Sequence, residues 1–102
     1  MVNYINESDF NEYENSKDLK IVKFTASWCS PCRMIDPILE KVSEETSVDV
    51  GKVDIEKETG LTQKFQIRSV PTTMFFKNGE LLETKVGAFD ESYLRSTIEN
   101  YN

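Results

Sequence analysis

The stretch Phe24-Thr25-Ala26-Ser27-Trp28-Cys29-Ser30-Pro31-Cys32-Arg33-Met34 holds both cysteines of the chain, and its two flanks have different periods. Upstream, Val22, Phe24 and Ala26 alternate with Leu19, Ile21, Lys23 and Thr25, the mostly apolar pattern of a central strand covered on both sides. Downstream, Met34, Ile35, Ile38, Leu39 and Val42 recur at helical spacing. The cysteines therefore fall at a strand-to-helix junction, with Pro31 in the first helical turn, where its missing N–H is not needed. Two residues separate Cys29 from Cys32. In a helix this places the sulfurs about one turn apart on the same face, close enough to bond reversibly with little backbone movement.

At a helix start Cys29 faces unpaired backbone N–H groups and the positive end of the helix dipole, both of which favour thiolate over thiol. Cys29 is therefore expected as the nucleophile. Cys32, a turn deeper and more shielded, is expected as the resolving thiol that releases a mixed disulfide. Trp28 offers an apolar surface beside the pair. A Cys-x-x-Cys can also be half a zinc site or an inert buried pair. Zinc usually needs further Cys or His ligands, and the chain has two Cys and no His, so a metal site is not expected.

The 102 residues fit one domain, 1–102, with a core large enough for a sheet and helices. Two cysteines point to redox or metal chemistry in a reducing compartment more often than to a permanent staple. The N-terminal residues lack a basic region followed by a long apolar run, and no later stretch reads as a membrane span. The expectation is a cytoplasmic monomer. A net charge of −6 without a basic cluster argues against nucleic acid or anionic membrane as partner.

Along the chain, Val2 to Ile5 reads as a short strand, and Ser8 as the N-cap of a short helix with Phe10 and Tyr13 on one side. The helix after Cys29 is expected to run to about Glu45 and to bend at Pro37. Val48 to Asp54 reads as a strand, Glu56 to Phe65 as a surface helix, and Thr72 to Lys77 as a strand. Asn78-Gly79 signals a hairpin to an antiparallel Leu81 to Val86. Asp90 caps a last helix carrying Leu94, Ile98 and Tyr101 on one side. Strands alternating with helices and closing in a hairpin give an α/β fold: a mixed sheet with helices on both faces.

The chain resembles the thioredoxin family along nearly its whole length, through Trp28-Cys29-Ser30-Pro31-Cys32, Pro37, Val70-Pro71-Thr72, Lys77-Asn78-Gly79-Glu80 and Val86-Gly87-Ala88. The resemblance implies the thioredoxin fold, a central mixed five-stranded sheet flanked by about four helices. It also implies a cis Pro71 lying against the disulfide, which leaves the Val70 backbone free for an extended substrate. The implied substrate surface comprises Trp28, Ser30, Pro31, Val70, Pro71, Gly87 and Ala88. Gly87 reads equally well as a turn glycine.

Two departures stand out. Ser30 replaces the usual Gly, and Lys23 replaces the usual buried Asp, which in the family pairs with a Lys at the position of Lys52 and relays a proton for the second cysteine. One reading gives a buried Lys23 a depressed pKa, from desolvation and the like charge of Lys52, so that it relays protons as an amine or, as a cation, tunes the thiolate. The other has Lys23 reaching solvent or pairing with a carboxylate. Arg33 reads either as a charge that holds the thiolate or as a solvated helix-end residue.

The resemblance implies a dithiol–disulfide oxidoreductase that reduces protein disulfides and holds no cofactor of its own. Its electrons would come from a thioredoxin reductase drawing on NADPH through flavin, and ribonucleotide reductase, peroxiredoxins and methionine sulfoxide reductases are the implied acceptors. The alternatives are a disulfide oxidant or isomerase, and a binding module in which the cysteines are incidental.

Overall fold

The computed structural model describes all 102 residues, Met1–Asn102. Five strands, β1 (Val2–Tyr4), β2 (Lys20–Thr25), β3 (Val50–Asp54), β4 (Thr72–Lys77) and β5 (Glu80–Val86), form one sheet in the order β1-β3-β2-β4-β5. The first three run parallel to one another, while β4 is antiparallel to β2 and β5 to β4. Four helices complete the chain: α1 (Glu7–Asn15), α2 (Ser30–Thr46), α3 (Thr59–Lys64) and α4 (Glu91–Tyr101).

β2 is the middle strand, and its alternation feeds two separate cores. Ile21 packs with Val50, Phe75, Ile35, Leu39 and Leu94, so this face is closed by α2 and α4. Val22 and Phe24 pack with Val53, Met74, Phe76, Phe10 and Leu61, so the other face is closed by α1 and α3. Phe10 meets the rings of Phe65 and Phe76 edge-on at 5.4 and 5.5 Å, an arrangement the ring quadrupoles favour. Burying Ile21, Val22 and Phe24 this completely stabilises the fold by about 1.5–3 kcal/mol per side chain. It also fixes where β2 must end and α2 begin.

The element order agrees with the sequence pattern, and the differences lie at the ends. Asn6, not Ser8, caps α1: its side chain accepts from Asp9 N–H at 2.9 Å while Asp9 accepts from Asn6 N–H, a reciprocal capping box. β3 begins at Val50 rather than Val48, because α2 ends in a left-handed Ser47 whose N–H donates to the Ser43 carbonyl. α3 begins at Thr59 rather than Glu56. Asp54 first draws the chain into a turn, its carboxylate accepting from Glu56 N–H and its carbonyl from Lys57 and Glu58 N–H. Asn78 and Gly79 both have positive φ, 55° and 80°, and this two-residue turn pairs Lys77 with Glu80, starting β5 one residue before Leu81.

The capping geometry separates the two candidate caps experimentally. Asn6→Ala lowers unfolding stability by about 1 kcal/mol in urea titrations, and Ser8→Ala changes it by less than half as much.

Candidate active site

The strand-to-helix junction is built from local hydrogen bonds. Beyond β2 the chain turns, with Cys29 N–H donating to the Ala26 carbonyl at 3.2 Å. Cys29 then stands at the N-cap of α2 in extended conformation, and its Sγ accepts from Cys32 N–H at 3.2 Å. The N–H of Cys32, in the first turn of the helix, therefore points at this sulfur, the position at which a helix most favours a thiolate. Arg33 ties the junction from outside: its guanidinium donates to the Ser27 carbonyl at 2.9 Å and to Ser30 Oγ at 3.2 Å. Arg33 thus has, in Ser30 Oγ, an acceptor that a glycine at that position would not supply.

Cys29 and Cys32 form a disulfide with Cα atoms 5.3 Å apart. Both are buried, at 3 % and 1 % exposure, so the expected contrast in shielding is small in the oxidised chain. The Val70–Pro71 peptide is cis, and the Val70 carbonyl oxygen lies 3.6 Å from Cys29 Sγ. Gly87 N–H donates to the Pro71 carbonyl at 2.8 Å, so the end of β5 meets the same loop. No hydrogen bond within the protein uses the N–H of Val70. Val70, Pro71 and Gly87 are thereby gathered beside Cys29, while Trp28, Ser30, Pro31 and Ala88 are exposed. Trp28 is 64 % exposed and Val86, at the end of β5, is 59 % exposed, two large apolar side chains left open to solvent. Gly87 has φ of 93° and open space where a Cβ would stand, so its backbone conformation rather than a close approach accounts for the glycine.

Beneath α2 the sheet changes character between adjacent rows. Val50, Ile21 and Phe75 form an apolar row across β3, β2 and β4; two residues along, the row on the same face is Lys52, Lys23 and Thr73. Lys23 is 0 % exposed, which removes the expectation that it reaches solvent. Its ammonium donates to the Cys32 carbonyl at 2.8 Å and to Asp36 Oδ1 at 2.5 Å. Lys52 is half-buried, with its ammonium 3.9 Å from Asp36 Oδ2 and 4.4 Å from the centre of the Tyr4 ring. Burial pulls the Lys23 pKa down, the hydrogen bond and charge of Asp36 pull it back up, and the charge of Lys52 adds to the fall.

Asp36 is the residue that the sequence pattern did not single out. It follows Cys32 by four residues and precedes Leu39 by three, spacings that put all three on one helix face. A carboxylate on that face, opposite an interior lysine, was the available signal. The carboxylate that the strand lacks is supplied by the helix.

The geometry matches a wider group of proteins. The thioredoxin family model matches residues 1–100. Among curated relatives, a thioredoxin from Rickettsia bellii is 42 % identical, covering 98 % of each chain. A thioredoxin from Buchnera aphidicola is 45 % identical, covering 86 % of this chain and 84 % of its own. Among solved structures, a mutant thioredoxin from Halobacterium salinarum superposes with a TM-score of 0.89 at 32 % identity, covering 98 % of this chain and 88 % of that one. A cysteine pair that closes across one helical turn, on a fold shared at this level, defines a dithiol–disulfide oxidoreductase acting on protein disulfides. The chain belongs to the thioredoxin family.

The depressed proton affinity of Lys23 has a measurable consequence. Between its lowered folded-state pKa and the ordinary 10.5, the unfolded chain binds the extra proton, so the contribution of Lys23 to stability rises with pH. Urea midpoints of the wild type should therefore climb relative to those of Lys23→Met as the pH rises through the alkaline range toward that value. Parallel profiles would show that the folded chain holds this proton as tightly as the unfolded one.

Proposed function

We propose that Cys29 is the attacking thiolate and Cys32 the resolving thiol of a one-domain, monomeric protein-disulfide reductase in the cytoplasm. The N-cap position of Cys29, with a helical N–H aimed at its sulfur, carries this assignment. In the first step Cys29 thiolate attacks a substrate disulfide, forming a Cys29–substrate bond and expelling one substrate thiolate, which takes up a proton. In the second, Cys32 loses its proton and attacks Cys29 Sγ. The Cys29–Cys32 bond forms, the mixed disulfide breaks, and its electron pair leaves on the second substrate sulfur. Two electrons pass to the substrate and the protein is left oxidised.

The substrate lies as an extended segment across Val70, Pro71, Gly87 and Ala88, against Trp28 and the exposed first turn at Ser30 and Pro31. The free Val70 N–H beside Cys29 supports this placement, because it offers a main-chain hydrogen bond that does not depend on substrate sequence. Lys23 and Lys52 tune the acidity of the buried thiol from below. Regeneration requires an outside dithiol donor, and a thioredoxin reductase fed by NADPH through flavin fits the reaction. Protein disulfides such as those of ribonucleotide reductase, peroxiredoxins and methionine sulfoxide reductases are the acceptor class.

Equilibration of the Cys29–Cys32 pair in dithiothreitol or glutathione buffers, followed by Trp28 fluorescence, tests the direction of transfer. A reducing potential with turnover of insulin disulfides is expected. A markedly oxidising potential would indicate an oxidant or isomerase, and no reversible transition would indicate a binding module. In the same assay Cys29→Ser abolishes insulin reduction, whereas Cys32→Ser accumulates a mixed disulfide visible on non-reducing gels.

A further inference from the structure

Resting on the reading of Cys32 as the resolving thiol, we propose that Asp36 is a positioning residue for that thiol: its carboxylate keeps the Lys23 ammonium charged beneath Cys32, and the ammonium stabilises the Cys32 thiolate that attacks in the second step.

The arrangement is specific in its distances. The ammonium of Lys23 sits between two acceptors of the same helix, the Cys32 carbonyl at 2.8 Å and Asp36 Oδ1 at 2.5 Å. The side chain of Lys23 has no exposure, whereas that of Asp36 retains 29 %, so the pair joins the interior under Cys32 to the water outside. Pro37, the next residue, has no N–H to close on Arg33, which loosens the helical ladder beside the Cys32 carbonyl that accepts from Lys23. The remaining groups around Lys23 do not offer a second counter-charge. β3 presents Lys52, backed by Tyr4 of β1, and β4 presents the buried hydroxyl of Thr73, which has no hydrogen-bond partner. Next along the row, β5 contributes Lys85. Among two further lysines and a hydroxyl, the groups that favour the charged form are the Cys32 carbonyl and the Asp36 carboxylate, and only Asp36 brings a counter-charge.

The electrostatic sign follows. A cation hydrogen-bonded to the carbonyl of Cys32 itself lowers the cost of removing the thiol proton, whereas a neutral amine does not. Without Asp36, burial and the charge of Lys52 drive Lys23 toward the amine. In the resolving step the Cys32 proton leaves to solvent as its sulfur bonds to Cys29 Sγ, and the departing substrate thiolate takes up a proton in turn. The pair of side chains changes the thiolate fraction and consumes no reductant.

The test uses the reduced full-length chain with Cys29→Ser, leaving a single thiol whose alkylation by iodoacetamide is followed against pH. Asp36→Asn is expected to lower the thiolate fraction near neutral pH by about tenfold, equivalent to a rise of roughly one unit in the thiol pKa. Asp36→Glu restores most of the wild-type profile. Adding Lys23→Met to Asp36→Asn produces no further shift, because the amine is already neutral. Urea midpoints report any loss of folding separately, and a general loss of structure would expose the thiol in the Asn and Glu variants alike. An unchanged profile in Asp36→Asn overturns the proposal. So does a higher thiolate fraction, which would mean that the carboxylate acts on the sulfur directly rather than through Lys23. Mixed-disulfide trapping by Cys32→Ser is independent of Asp36, so failure of the resolving assignment is distinguishable from failure of this inference.

Discussion

Burial of β2 on both of its faces determines the position of everything that reacts. A strand locked between two apolar cores cannot slide by one residue, because a slip would turn Ile21 and Lys23 toward the opposite core and Val22 and Phe24 toward the helix α2. The end of β2 is thus held in register, and α2 starts from it through a turn of four residues, Ala26 to Cys29. The helix start is in turn the place where backbone N–H groups are free to meet a sulfur. Rigid packing of the strand and an unsatisfied helix terminus together set a backbone N–H against the sulfur of Cys29, which neither alone would do.

The reaction needs little motion at this junction. Cys29 and Cys32 lie one turn apart on a helix whose C-terminal part is buried through Ile35, Leu39 and Val42, so bond making and breaking can be confined to side chains. Loops from the far end of the chain finish the site. β4 begins beside the end of β2, which brings Val70 and Pro71 to Cys29, and the hairpin returns Gly87 to Pro71. Cys29 and Val70, 41 positions apart in sequence, meet because antiparallel pairing of β4 with β2 leaves them no other place.

Under α2 the same sheet face carries a charge row instead of an apolar one. Lys23 is tolerated there because its ammonium gains a carboxylate and a carbonyl, which offset the cost of removing a charge from water. In three dimensions the carboxylate stands on the helix, at Asp36, and a lysine occupies the interior position on the strand. The arrangement keeps ionisable groups close to the second cysteine, with the lysine deeper than the carboxylate.

Much of this was legible in the order of residues. Alternation in Leu19 to Ala26, helical spacing after Met34, the Asn78-Gly79 turn and the Cys29–Cys32 spacing each arise from interactions over a few residues, and each produced the expected element. Ends were less legible, as with Asn6 and Thr59, because a cap or a turn is a competition among adjacent polar side chains. Local chemistry by itself therefore determined the fold class, the dithiol and its place at a helix start. Only the tertiary structure decided the partner of Lys23. Lys23, Asp36 and Lys52 lie on a strand, a helix and a second strand, and whether a buried charge is paired depends on which elements pack together. Sequence spacing does not encode that distance.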